Sequence, residues 1–355
     1  MIRALILIFL GFSQAGQAQH YLTGGVHGGF SVPHRPEIRN LVTGHSLGLE
    51  LGAEWVPNGK REWHHRYSNP TMGLDFFAVD LGNKEQLGSQ FSLIPYVRLA
   101  LSEGWGTHEL KMGVGVGYTT KIWDLEDNVK GLVMGSHFNA ALLLQYGYRF
   151  SVSERLGLIA GLRMNHFSNG AFALPNMGTN NASIYVTARW KTPKQVPEPL
   201  PDAVLSNDFP KWKFAISTAI GVRENAPPLG PKYFVFALRA MTERRISFKS
   251  GLMASTDVFI NPSIKPLLER DGMWQEKNTD LLQVGIAAGY ILHFDPMEFH
   301  IMMGAYVKNA YSGQGSFYHR FGLRYDVTEH FNVQFMLKTH FAKADHPELG
   351  IGYKF

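Results

Sequence analysis

Short segments in which apolar and polar residues alternate recur along almost the whole chain. Successive side chains of a β-strand point to opposite faces, so this alternation is typical of strands with one apolar face. The first half carries about eight such segments, at 20–22, 43–55, 71–81, 90–101, 108–119, 138–150, 156–168 and 182–190. The second half carries about eight more, at 211–223, 232–242, 246–258, 280–293, 297–308, 316–326, 331–341 and 347–355. The pattern predicts an all-β fold of about sixteen strands.

The composition indicates that these strands lie in a membrane. Hydrophobic residues make up 45% of the chain and aromatic residues 13%, yet after residue 18 no stretch approaches the ~18 consecutive apolar residues of a membrane helix. This combination is typical of a transmembrane antiparallel β-barrel. The chain contains no cysteine, which excludes disulfides and thiol nucleophiles. The net charge of +5 is modest, and we expect no nucleic-acid partner.

An export signal precedes the first strand. Arg3 is followed by the apolar run 4–10 and by small residues up to Ala18. A charged start, a short apolar run and small residues at the end are typical of a secretory signal peptide, here cut after Ala18. The apolar run is too short to anchor the chain by spanning a membrane.

A proline-rich stretch separates the two sets of strands. Its composition is that of an extended, unpaired linker. The predicted organisation is a signal peptide at 1–18, a first barrel unit at 19–191, a linker at 192–210 and a second barrel unit at 211–355. Two tandem eight-stranded barrels and one barrel of about sixteen strands both fit the pattern. The linker is long for a periplasmic turn, which favours tandem barrels.

A histidine and a serine share one face of a strand in the first half. The sequence there is His166-Phe167-Ser168-Asn169-Gly170, and residues two apart on a strand project from the same side. A histidine beside a serine can act as the base that makes the hydroxyl a nucleophile. The same face carries apolar residues further back along the strand, so in a membrane barrel it looks towards lipid. The pattern predicts an enzyme that acts on a lipid.

The loop after this pair carries a family resemblance. With Pro175-Asn176-Met177-Gly178 following the His-x-Ser-Asn-Gly string, residues 20–190 resemble the lipid A 3-O-deacylase (acyloxyacyl hydrolase) family. The resemblance implies an outer-membrane serine esterase that removes an ester-linked acyl chain from the lipid A of lipopolysaccharide. It implies no cofactor and no metal.

The resemblance also assigns roles to residues. Ser168 would be the nucleophile and His166 the general base, with the backbone amides of Asn169 and Gly170 in the oxyanion hole. Where the family has a glutamate as third member, this chain has Asn180. An asparagine oxygen can orient an imidazole, but it supplies no charge to stabilise the imidazolium.

The second half repeats part of this pattern without its nucleophile. Residues 147–154 parallel 322–329, and the following strand ends in His340-Phe341. Ala342 stands where the serine would be, and Glu348 stands where a third member could lie. The second unit is therefore predicted to be a degenerate, inert repeat.

The orientation and assembly of the barrel also follow from the pattern. With the mature N-terminus in the periplasm, the long connections 121–137, 169–181 and 259–279 fall on the outer side. His166 would then lie at the outer leaflet, where lipopolysaccharide resides. The alternating end of the chain, finishing on Phe355, resembles the terminal strand that the barrel-assembly machinery recognises. Lipopolysaccharide, outer-membrane lipids and that machinery are the expected partners.

Two other functions fit parts of the sequence. Outer-membrane phospholipase A shares the His-x-Ser-Asn-Gly string and uses calcium, but Pro175 and Asn176 favour the deacylase. No clear acidic cluster lies beside the motif to bind calcium. The remaining alternative is a structural or pore-forming barrel without chemistry, in which Asn180 is a turn residue.

Overall fold

The computed structural model describes residues 19–57, 62–193, 212–341 and 343–355. The predicted signal peptide at 1–18 lies outside the described residues, as does the linker from residue 194 onwards. Ala342, which marks the missing nucleophile of the second half, also lies outside them.

The first half folds into a closed antiparallel barrel of eight strands. Its strands are β1 (Gln19–Ser31), β2 (Ser46–Val56), β3 (Thr71–Asp80), β4 (Ser89–Glu103), β5 (Thr107–Thr119), β6 (Phe138–Ser151), β7 (Leu156–Ser168) and β8 (Thr179–Lys191). Each strand pairs with the next in sequence, and β8 pairs with β1 to close the barrel.

The second half forms another closed antiparallel barrel of eight strands. They are β9 (Trp212–Glu224), β10 (Lys232–Arg245), β11 (Ser250–Ile260), β12 (Leu282–Phe294), β13 (Met297–Lys308), β14 (Phe317–Asp326), β15 (Phe331–His340) and β16 (Lys343–Lys354). β16 pairs with β9. The described residues thus form two compact units, and the prediction of two tandem eight-stranded barrels is confirmed over a single large barrel.

Two strands begin or end far from their predicted limits. β1 continues to Ser31, whereas alternation marked only 20–22. Glycines at positions 24, 25, 28 and 29 remove the side chains that carry the pattern, and a Cβ on Gly29 would lie 1.9 Å from the carbonyl oxygen of Ala182 on β8. β8 begins at Thr179 rather than at residue 182. Asn180 and Asn181 are residues that favour turns, so the sequence placed them outside the strand, but both pair with β7.

The first barrel is apolar outside and ionic inside. Exposed outward side chains include Leu22, Val26, Leu49, Leu51, Leu162, Ile184 and Val186. The interior holds buried ion pairs: a guanidinium nitrogen of Arg163 lies 3.1 Å from Glu50 Oε2, and one of Arg98 lies 2.9 Å from Glu109 Oε2. Side chains fill an eight-stranded barrel in this way because its interior is only wide enough for them.

The second barrel has the same design with different partners. Arg320 is buried in its interior, with guanidinium nitrogens 3.1 Å from Asp257 Oδ1 and 2.8 Å from Glu348 Oε1. Lys338 Nζ lies 2.7 Å from Asp345 Oδ2. These charges are compensated in pairs, as buried charges must be.

Loops pack over the end of the first barrel at which β7 terminates. A 3₁₀ helix (Pro36–Leu41) buries Ile38 and Leu41 in a cluster with Phe77, Val79, Leu81, Leu87, Ile94, Val133, Met134, Ala141, Leu143 and Phe167. Other short helices are α1 (Glu62–Arg66), α2 (Lys265–Arg270) and the 3₁₀ helices Pro262–Ile264, Asn278–Leu281 and Ser312–Gln314. Within the described residues, none of the helices has the length and apolar character needed to cross a membrane.

Candidate active site

The site lies on the outward face of β7 and β8, near the end of the first barrel that the loops cover. His166 on β7 stands directly opposite Asn180 on β8 in the strand register. Ser168 has the same parity as His166, and both are half-buried. Arg163 and Phe167, of the opposite parity, are buried in the interior, whereas Leu162 is 62% exposed. The structure therefore places the predicted histidine, serine and asparagine on one outward patch.

His166 and Asn180 form a short hydrogen bond. Asn180 Oδ1 lies 2.7 Å from His166 Nδ1. A carboxamide oxygen only accepts, so this contact places the imidazole proton on Nδ1. In the neutral ring, Nε2 then carries the lone pair. That is the tautomer required of a base that takes a serine proton through Nε2.

Ser168 is held by an asparagine from the following loop. Asn176 Nδ2 donates to Ser168 Oγ at 2.9 Å, and Asn176 Oδ1 lies 3.2 Å from the same Oγ. The backbone N–H of Asn169 donates to Asn176 Oδ1 at 3.0 Å. One side chain thus joins the predicted nucleophile to a predicted oxyanion-hole amide. Sequence reasoning used Asn176 only as part of the family motif and gave it no role.

The segment after Ser168 is fixed by side-chain and backbone constraints. Asn169 is 8% exposed, and its Nδ2 donates to Ser136 Oγ at 2.9 Å. Ser136 Oγ in turn lies 3.1 Å from the Phe138 carbonyl oxygen, at the start of β6. Gly170 has a φ of +67°, in the left-handed region that favours glycine. The chain can therefore leave β7 sharply just after the predicted nucleophile.

Gly178 brings the returning loop over the imidazole. Its φ is +76°, and a Cβ there would lie 3.0 Å from both His166 Cε1 and the Phe167 carbonyl oxygen. Its N–H donates to the carbonyl oxygen of Val133 at 3.0 Å. Because Val133 belongs to the apolar cluster at this end of the barrel, packing of that cluster also positions the loop.

A second histidine extends the site on the side away from Ser168. His34, in the loop after β1, has its Nδ1 3.0 Å from Asn180 Nδ2. Its Nε2 lies 3.0 Å from the carbonyl oxygen of Met177. Sequence reasoning missed this residue, because 146 positions separate it from Asn180 and only the pairing of β1 with β8 brings the two together.

The histidine of the second half does not reproduce this arrangement. His340 is 9% exposed, and its Nε2 lies 2.9 Å from Tyr306 Oη. Glu348, where a third member could lie, forms an ion pair with Arg320 in the barrel interior. Both residues belong to the internal polar network of the second barrel.

One group among the described residues has the composition of a metal site. The ligand atoms of His293, Asp295 and Glu298 all lie within 4.8 Å of one another, around the β12–β13 turn of the second barrel. Cationic side chains already contact its carboxylates: Arg245 lies 2.8 Å from Asp295, and Lys354 lies 3.4 Å from Glu298. The group therefore has the character of an ion-pair network.

Two family comparisons match the two barrels in turn. Residues 47–189 match the family described as lipid A 3-O-deacylase (PagL). Residues 212–355 match the family described as acyloxyacyl hydrolase, C-terminal domain. The two matches are consecutive and together span most of both barrels.

Several solved structures match the chain, all at low identity and low TM-score. Neisserial surface protein A is 12% identical with a TM-score of 0.34, over 49% of this chain and 97% of that one. The outer membrane enzyme PagL is 14% identical with a TM-score of 0.31, over 46% and 97%. A mutant porin of Rh. blastica is 10% identical with a TM-score of 0.18, over 95% and 99%.

No curated protein matches the sequence. The family assignment therefore depends on the two family matches, which agree with each other and with the motif around His166 and Ser168. The family predicted from the sequence is confirmed: this two-barrel chain belongs to the lipid A 3-O-deacylase (acyloxyacyl hydrolase) family.

Proposed function

We propose that the protein is an outer-membrane serine esterase that removes an ester-linked acyl chain from the lipid A of lipopolysaccharide. The observation that carries the proposal is the 2.7 Å contact between His166 Nδ1 and Asn180 Oδ1, on the outward face that also presents Ser168. Family membership supports the substrate class. The lipid-facing position supports a substrate that lies in the membrane beside the barrel.

Ser168 and His166 would perform the reaction in two steps. Ser168 Oγ attacks the ester carbonyl carbon while His166 Nε2 takes the hydroxyl proton. The tetrahedral intermediate collapses, His166 returns the proton to the leaving sugar oxygen, and an acyl-enzyme on Ser168 remains. Water, deprotonated by His166, then attacks the acyl carbonyl. As this second tetrahedral intermediate collapses, His166 gives the proton to Ser168 Oγ, and a fatty acid and the free serine are released.

Asn176 and the Asn169 amide are our candidates for stabilising the oxyanion. Asn176 Nδ2 already donates to Ser168 Oγ, and the Asn169 N–H points at the Asn176 oxygen beside it. A carbonyl oxygen that displaces Asn176 Oδ1 would meet the Asn169 N–H, with Asn176 Nδ2 as a second donor. Preorganised donors of this kind commonly supply the largest share of the rate enhancement. The role of the Gly170 amide stays a prediction.

The surroundings of the site suit acyl chains. Leu162 and Ile184 flank the site along β7 and β8 and are 62% and 68% exposed. Acyl chains lying along this wall would bring an ester bond to Ser168 without leaving the membrane. No step of the mechanism calls for a cofactor.

Export and assembly complete the proposal. We infer that residues 1–18 direct export, that 19–191 and 211–355 are the two barrel domains joined by the linker 192–210, and that the strand ending at Phe355 is read by the assembly machinery. Deleting Phe355 is expected to lower the amount of folded protein in the outer membrane without changing its synthesis. Quantifying protein in isolated outer membranes tests this part.

The activity is tested by mass spectrometry of lipid A and phospholipids from membranes that contain the wild type or Ser168→Ala. We expect lipid A to lose one acyl chain with the wild type only. The matched control is Ser183→Ala, a buried serine of β8 that faces the interior, and it should keep activity. Lysophospholipid in place of deacylated lipid A would assign the phospholipase reaction instead. Unchanged lipids with correctly folded wild type would leave a structural barrel.

A further inference from the structure

We propose that His34 is a positioning residue that fixes the orientation of the Asn180 amide, and through it the tautomer of His166. The inference rests on the proposed function and deepens it. An asparagine in place of an acid can orient His166 in two ways, only one of which leaves Nε2 free of a proton. A carboxylate presents oxygen on both sides, whereas a carboxamide presents oxygen on one side and an NH₂ group on the other.

The orientation of that amide decides whether His166 can act as a base. With Oδ1 towards His166, the proton of the ring stays on Nδ1 and Nε2 accepts from serine. With Nδ2 towards His166, Nδ1 must accept, Nε2 carries the proton, and the base is lost. In serine proteases, replacing the orienting aspartate with asparagine lowers kcat by about 10⁴ for this reason. An asparagine can therefore serve only if something holds its amide the right way round.

The contacts of His34 supply that constraint. The Met177 carbonyl oxygen only accepts, so the 3.0 Å contact with His34 Nε2 places a proton on Nε2. In the neutral ring Nδ1 is then an acceptor, and the 3.0 Å contact at Nδ1 must come from the Asn180 NH₂ group. The Asn180 oxygen is left facing His166.

The other tautomer of His34 satisfies fewer contacts. His34 Nδ1 also lies 3.2 Å from the carbonyl oxygen of Val32, which a proton on Nδ1 would favour. With the Asn180 amide oriented as in the structure, that proton would meet its NH₂ group, and the lone pair on Nε2 would meet the Met177 carbonyl oxygen. One matched contact would replace two. The three hydrogen bonds therefore all donate in the same direction. His166 Nδ1–H donates to Asn180 Oδ1, Asn180 Nδ2–H donates to His34 Nδ1, and His34 Nε2–H donates to the Met177 carbonyl oxygen.

The barrel also fixes the two ends of this chain of hydrogen bonds. Met177 packs against the apolar cluster at the barrel end, so its carbonyl is held by the core. Ser31, at the end of β1, pairs with Asn181 on β8, which keeps the His34 loop beside Asn180. His34 thus connects the packed core to the Asn180 amide, through one hydrogen bond at each of its ring nitrogens.

The test combines His34→Phe, which keeps a ring but removes both nitrogens, with Asn180→Asp, which removes the need to orient an amide. The wild type, the two single variants and the double variant are all assayed for acyl release from lipid A. In the protein that keeps Asn180, we expect His34→Phe to lower kcat by roughly tenfold or more, with little change in KM. In the Asn180→Asp background the same substitution should change kcat by less than about threefold. An equal loss in both backgrounds, or no loss in either, would overturn the inference.

A second readout does not depend on activity. Nitrogen-15 shifts of the His166 ring, assigned with His166→Ala, report which nitrogen carries the proton. The wild type is expected to show protonated Nδ1, and His34→Phe a mixture of both tautomers; an unchanged tautomer contradicts the inference. If none of the four proteins releases acyl chains, the proposed function fails, while the ring shifts still decide the role of His34.

Discussion

Asn180 is the residue at which this chain departs from the pattern its motif implies. Its oxygen accepts from His166 Nδ1 at 2.7 Å, which is the orienting role. A neutral amide cannot stabilise the imidazolium that forms when serine is deprotonated, and a carboxylate can. In the proposed mechanism, Asn180 therefore orients His166 but gives its protonated form less electrostatic stabilisation than a carboxylate would.

Restoring a charge at this position is expected to raise activity. Asn180→Asp should increase kcat by roughly tenfold, because a carboxylate oxygen faces His166 and stabilises its protonated form. Deacylated lipid A, measured over time, gives the rate. In the matched control the same change is made together with His166→Ala, where no increase is expected. A decrease in the first case would show that the site depends on an NH₂ group at Asn180.

Gly178 gives a second test at this scale. Gly178→Ala would add a Cβ 3.0 Å from His166 Cε1 at a φ of +76°, so we expect kcat to fall by roughly tenfold or more as the ring is displaced. Gly272→Ala is the matched control, since its φ is +68° and nothing lies within 4 Å of its added Cβ. Equal activity of both variants would show that the ring tolerates the contact.

The sequence predicted the strands better than it predicted the contacts of the site. The His-x-Ser spacing and the parity of Asn180 placed three residues on one face, because period-two alternation is a local property. His34 was out of reach, since its contact depends on closure of the barrel between β1 and β8. Asn176 was visible in the motif, but its contact with Ser168 depends on how the loop folds back.

Packing of Phe167 on β7 against Gly117 on β5, inside the barrel, supports the site from behind. Phe167, between the two predicted catalytic residues, points into the barrel, and a Cβ on Gly117 would lie 2.2 Å from its ring. Gly117→Ala is expected to lower stability by about 1–3 kcal/mol and to reduce acyl release, because the ring must move. Thermal unfolding followed by circular dichroism, together with the lipid A assay, measures both effects. Gly24→Ala, with a Leu51 methyl at 3.6 Å, should leave both unchanged.

Both barrels have interiors filled by charged side chains. In the first, Arg98 bonds Glu54 and, at 2.9 Å, Glu109, and all three are buried. Paired charges of this kind add little net stability, but removing one partner leaves the others uncompensated. The interior is therefore sensitive to the loss of any single partner.

Arg98→Ala is expected to lower the free energy of unfolding by about 3–5 kcal/mol. Urea unfolding of the protein in lipid vesicles gives this value. Arg39→Ala is the matched control, because Arg39 is exposed in the 3₁₀ helix Pro36–Leu41 and its loss should change stability by less than about 0.5 kcal/mol. Similar midpoints for both variants would contradict the importance of the buried pair.

The two barrels should also differ in their contribution to chemistry. His340 is buried beside Tyr306 in the second barrel, whereas His166 lies on the outward face of the first. We expect His340→Ala to retain acyl release and His166→Ala to abolish it. Loss of activity in a folded His340→Ala protein would show that the second barrel participates in the reaction.

Because the proposed site lies on the outward face of the barrel, the substrate concentration that sets its rate would be the concentration within the membrane. Ser168 lies on the outward face of the first barrel, so in the proposed function an ester would reach it by lateral diffusion within one leaflet. Its turnover would then follow the mole fraction of substrate in the surface, and diluting that surface with inert lipid would slow the reaction even at constant bulk amount. The released fatty acid would stay in the same leaflet and would compete with new substrate for the outward face of the barrel around Ser168.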